Sequence, residues 1–130
     1  MELNSVNISQ QHEAGYALEI VHPATGDKLG GVITIRGSES KSVQSYNRKR
    51  FMELQKRERM NKGKSSDYSL DEIETIGVES AIVRVIGWKN ITKDGAELVF
   101  TPENAEMLFK EYPWIRAQVM EAADNGLFFL

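Results

Sequence analysis

The chain has no cysteine in its 130 residues. Disulfides, thiolate nucleophiles and cysteine-bearing metal sites are thereby excluded, and nothing points to an oxidising compartment. Histidine is nearly as scarce: His12 lies in a polar N-terminal stretch and His22 precedes the turn residue Pro23. No metal-ligand spacing and no nucleophile-elbow pattern accompanies either. The glycines at 30, 31, 37, 63 and 95 do not form a phosphate loop. No apolar run approaches the ~18–20 residues that cross a bilayer. The opening stretch MELNSVNISQQHEAG lacks the basic and apolar parts of a signal peptide. These absences give the expectation of a cytoplasmic, non-enzymatic protein with no cofactor, no metal and no membrane partner.

What is present is ordinary in amount and uneven in layout. With 41% hydrophobic and 27% charged residues, the chain reads as one globular domain, long enough to bury roughly 65–70% of its unfolded surface. Residues 1–40 carry two basic and five acidic groups; residues 41–64 carry nine basic and two acidic; residues 65–130 carry five basic and twelve acidic. A formal net charge of −3 therefore conceals a strongly basic segment between two acidic ones.

Residues 1–13 read as a flexible N-terminal arm, residues 14–126 as the globular domain and residues 127–130 as an apolar tail. Tyr16 to Val21 alternate, a Pro23-Ala24-Thr25-Gly26-Asp27 turn follows, and Val32-Ile33-Thr34-Ile35 is β-branched, which together predict a hairpin. Ser38 or Ser40 can cap a helix running to about Met60, with Val43, Tyr46, Phe51 and Leu54 on its apolar side. Asn61 to Ser66 read as a mobile break. Ser69 and Glu72 form a capping box flanked by a Tyr68–Ile73 staple. That helix is expected to run to about Ile86 and close at Gly87.

A tight turn at Lys93-Asp94-Gly95 then joins two short extended pieces. Thr101-Pro102-Glu103 opens a further helix and Pro113 the last one, which stops at Asn125-Gly126. The expected fold class is α+β, mostly α-helical: an N-terminal β-hairpin followed by four helices.

The basic helix is the constellation that can carry a binding role. Its cations could neutralise nucleic-acid phosphates. Glu53 and Glu58 are interleaved, however, and no stacking aromatic is free for bases, so nucleic acid is the disfavoured partner. An acidic protein surface fits as well, and residues 65–130 could supply it from another copy of the chain. The residues expected to make contacts are Arg48, Lys49, Lys56, Arg57 and Arg59 on the helix, with Leu127, Phe128 and Phe129 of the tail. The tail either folds back on the last helix pair or marks a junction.

Several short motifs occur in a telling order. They are Pro23-x-Thr25-Gly26, Ile35-x-Gly37-Ser38 with Ser40, Gly87-Trp88-x-x-Ile91, Gly95, Leu98-x-Phe100-Thr101-x-Glu103-Asn104, Leu108, Pro113-Trp114-Ile115 and Gln118-Val119. In this order the chain resembles the tail assembly chaperones of long-tailed bacteriophages, the siphophage type, over roughly residues 16–125.

The resemblance implies a non-catalytic protein that self-associates as a ring or spiral and coats the tape measure protein. It also implies absence from the finished virion and a place in the cytoplasm of the infected host. A programmed ribosomal frameshift in that family gives a longer form thought to recruit the tail-tube protein, and Leu127-Phe128-Phe129 is compatible with such a slippery site. The alternatives are a small nucleic-acid-binding or regulatory protein using the 41–64 helix, or a minor structural tail component.

Overall fold

The computed structural model describes residues 1–3, 6–61 and 68–129. The expected break over 62–66 and the tail's Leu130 lie outside the described residues. The described elements run α1 (Ile8–Ala14), β1 (Tyr16–Val21), β2 (Lys28–Ile35), α2 (Lys41–Met60), α3 (Leu70–Val83), β3 (Val85–Lys89), β4 (Thr92–Lys93), β5 (Ala96–Glu97), α4 (Pro102–Glu111) and α5 (Pro113–Ala123). A 3-10 turn, Gly126–Phe129, follows. The α+β class holds, with a β-hairpin followed by four helices, and α1 stands in front of them.

The hairpin pairs Tyr16 with Ile35 and Leu18 with Ile33 in antiparallel register. Its turn is organised by His22, whose Nδ1 accepts hydrogen bonds from the backbone N–H of Ala24 and Thr25 at 3.1 and 3.3 Å. Alternation along β2 buries Ile33 and Ile35 completely on one face. Against that face pack Val78 and Ala81 of α3, Ala105, Leu108 and Phe109 of α4, and Val119 and Ala122 of α5. The exposed edge of β1 is covered by one side chain. The Gln118 amide donates to the Val21 carbonyl at 2.8 Å and accepts from the Val21 N–H at 3.1 Å, standing in for a neighbouring strand.

The capping box is present: the Glu72 N–H donates to the Ser69 hydroxyl and the Ser69 N–H to the Glu72 carboxylate. Ser40, not Ser38, caps α2, accepting from the Val43 N–H. Thr101 caps α4 in the same way through the Asn104 N–H. The expectation that α3 runs to Ile86 is corrected. It ends at Val83, and Val85–Lys89 becomes a third strand on the free edge of β2, pairing Val85 with Ile35 and Lys89 with Val32. The Arg36 guanidinium bridges the switch, donating to the carbonyl of Val83 at the end of α3 and to that of Val85 at the start of β3, at 3.0 and 3.2 Å.

Within and just past the expected arm of residues 1–13, Ile8–Ala14 form a helix capped by Asn7, with His12 buried. The His12 Nδ1 accepts from the Glu39 N–H at 3.1 Å, and the Gly37 N–H donates to the His12 carbonyl at 2.9 Å. Gly37 is required by close approach, because a Cβ there would lie 1.9 Å from the His12 Nδ1.

Candidate interaction surface

Helix α2 has two opposed faces. At about 100° per residue, Tyr46, Arg50, Leu54 and Arg57 fall within about 60° of Val43. Val43 is fully buried, and this face meets α3. Phe51, expected on the apolar side, lies about 80° round from Val43 and is 58% exposed.

Arg57 belongs to the inner face. Its guanidinium donates to the Glu72 carboxylate at 2.5 Å and sits 4.2 Å from the centroid of the Tyr68 ring. The Arg57 charge and the Ser69 N–H together hold the Glu72 carboxyl down at about 2. Arg57 therefore closes the α2–α3 junction and stands apart from the other four cations expected to make contacts.

Arg48, Lys49, Lys56 and Arg59 do gather on one surface. They lie within about 60° of the direction opposite Val43, around a shallow groove of about 480 Å³. Met52 stands in the middle of this stripe, 61% exposed, with the cations in pairs on either side. None of the four cations forms an ion pair with a described residue. Glu53, at the margin, is held by Arg50 at 2.8 Å. Met52 was legible in the spacing of 48, 52 and 59, the i, i+4, i+11 rhythm of a helix face.

The sequence did not reveal the counterpart. Between α3 and α4 lies a cleft of about 420 Å³ lined by Asp71, Glu74, Glu79 and Glu106, with Lys110 as its one cation among the described residues. Val78 and Ile82 line it as well. Asp71 and Glu74 serve the dipole at the start of α3, but Glu106 reaches the cleft from a helix more than 30 residues away.

The tail residues separate. Phe129 is 4% exposed, stacked on the His12 ring with centroids 4.6 Å apart. Phe128 stacks on Tyr16 at 4.6 Å with rings within 7° of parallel. Leu127 is 74% exposed. The tail thus folds back, but onto α1 and β1 rather than onto the last helix pair, and Phe129 is a core residue, not a contact surface.

Among the described residues no cluster of three or more His, Asp or Glu could hold a metal ion. No helix among them is long and apolar enough to cross a membrane.

The described residues thus form a small α+β domain with an unpaired cationic helix face and an acidic cleft. The chain belongs to the YdaY prophage protein family, whose model matches residues 38–126, from just before α2 to just past α5. It is of phage origin. No curated protein and no solved structure matches it.

Proposed function

We propose that the chain is a phage tail assembly chaperone: a non-catalytic protein that self-associates and coats the tape measure protein before the tail tube polymerises around it. The phage family and the motif order from Gly87-Trp88 to Pro113-Trp114-Ile115 support the biology. The observation that carries the mechanism is the segregation of unpaired charge, with cations on the outer face of α2 and carboxylates between α3 and α4.

A coat of this kind needs many weak contacts. Repetition raises avidity while leaving each contact easy to displace, so an assembling tube can strip it. A longer, frameshifted form would bring the tube protein to the coat. All of this takes place in the cytoplasm of the infected host, and the protein does not remain in the virion.

Co-expression with the tape measure protein of the same prophage tests the reading. The expected result is a soluble tape measure protein that co-elutes with the chain. A tape measure protein that stays insoluble, or elutes alone, overturns it. Recovery of the chain from purified virions would favour a structural tail component instead. The α2 stripe keeps nucleic acid as the second reading, and tight, salt-sensitive retention on DNA-cellulose would support that one.

A further inference from the structure

We infer that two copies of the chain join head to tail, the outer stripe of α2 on one copy seating in the α3–α4 cleft of the next. The inference deepens the proposed function and rests on its self-association. The two surfaces match in chemistry. Among the described residues, four cations and one carboxylate line the stripe, and four carboxylates and one cation line the cleft. Each also has an apolar centre: the exposed Met52 on the stripe, Val78 and Ile82 in the cleft. Among the described residues, Arg48, Lys49, Lys56 and Arg59 have no ionic partner in their own chain, and Asp71, Glu74 and Glu106 have none in theirs.

The geometry forbids the same contact within one copy. Helix α2 meets α3 through the opposite face, where Arg57 grips Glu72, so the stripe points away from its own cleft. A contact between two different surfaces of one chain is heterologous. It closes into a ring or continues as a spiral, depending on the rotation per step.

From Ser45 to Arg59 the stripe is about 21 Å long at ~1.5 Å per residue. A contact built on one such face lies at the small end of specific interfaces. Each step is therefore weak and, being between exposed charges, weakened by salt.

Sedimentation velocity of the full chain tests this without any tape measure protein, so its outcome is independent of the chaperone reading. Wild type is expected to form species beyond the dimer at low salt, with the association constant falling about tenfold or more when salt is raised past the screening range. A stripe variant (Lys49→Ser, Met52→Ser, Lys56→Ser) and a cleft variant (Glu74→Lys, Glu106→Lys) should each be monomeric. Mixed together they should give a heterodimer and nothing larger, since one native stripe and one native cleft remain.

Cross-linking provides a second reading that needs no charge change. Because the chain has no cysteine, Met52→Cys and Thr75→Cys introduce single thiols on the stripe and at the cleft. On oxidation the mixed pair should cross-link, and Met52→Cys alone should not. A monomeric wild type, a mixture that grows past the dimer, or cross-linking of Met52→Cys to itself overturns the inference.

Discussion

The Arg57 guanidinium grips the Glu72 carboxylate at 2.5 Å across the α2–α3 junction, while Glu72 also completes the capping box that starts α3. One carboxylate thus serves two elements, and its charge matters to both. In the folded chain its pKa is lowered from 4.5 to about 2, first by Arg57 and then by the Ser69 backbone. A depressed carboxyl contributes stability that is fully present above its unfolded pKa and is lost as pH falls through the folded one. Wild type should therefore melt at a higher temperature than Glu72→Gln at pH 6. The gap should narrow steadily between pH 4.5 and pH 2. A gap that stays constant across that window contradicts the assignment.

Gly37 and His12 form a lock between α1 and the start of α2. With a Cβ placed 1.9 Å from the His12 ring, Gly37→Ala forces the ring or the backbone aside and should cost about 1–3 kcal/mol. Adding His12→Ala removes the obstacle, so the double variant should be more stable than the sum of the two single losses predicts. Chemical denaturation of the four proteins in the cycle measures this coupling.

The two adjacent tail residues should differ sharply. Phe129 is buried against His12, so Phe129→Ala should cost about 3–5 kcal/mol. Leu127 is 74% exposed, and Leu127→Ala should change stability by no more than about 0.5 kcal/mol. Urea unfolding distinguishes them, and equal effects contradict the docked tail.

Gln118 shields the β1 edge through both of its amide groups. Gln118→Ala should cost about 1–3 kcal/mol, since it leaves the Val21 backbone unpartnered in a half-buried place. Hydrogen exchange at the Val21 amide should accelerate in the variant, while exchange at the fully buried Ile33 should change only with global stability.

Local signals were readable wherever one short motif decides the structure. The Ser69–Glu72 capping box, Thr101 before Pro102, and Pro113 each set a helix start from a few neighbouring residues. The misread places are those decided from far away. Val85 and Ile86 fit the face of an extended α3 equally well. In the fold they pair instead with the edge of β2, beside the Arg36 guanidinium, contacts that lie about 50 residues away in sequence. His12 and Phe129 sit at opposite ends of the chain, so neither suggests the other.

The candidate surface divides in the same way. Its cationic stripe lies on one helix and follows from helical spacing. The acidic cleft needs Glu106 brought beside Glu74 by the packing of α4 on α3. Arg57 looked like one more cation of the stripe, because its partner Glu72 is reached across a helix junction.

The central claim is that the chain recognises the tape measure protein by self-assembly along it. The most direct measurement is the binding of the purified chain to recombinant tape measure protein, compared with the stripe variant and with double-stranded DNA under the same salt. The account predicts cooperative binding of many copies by wild type, at least tenfold weaker binding by the stripe variant because avidity is lost, and weaker binding to DNA than to the tape measure protein. No binding to the tape measure protein, or DNA bound more tightly than it, would contradict the account.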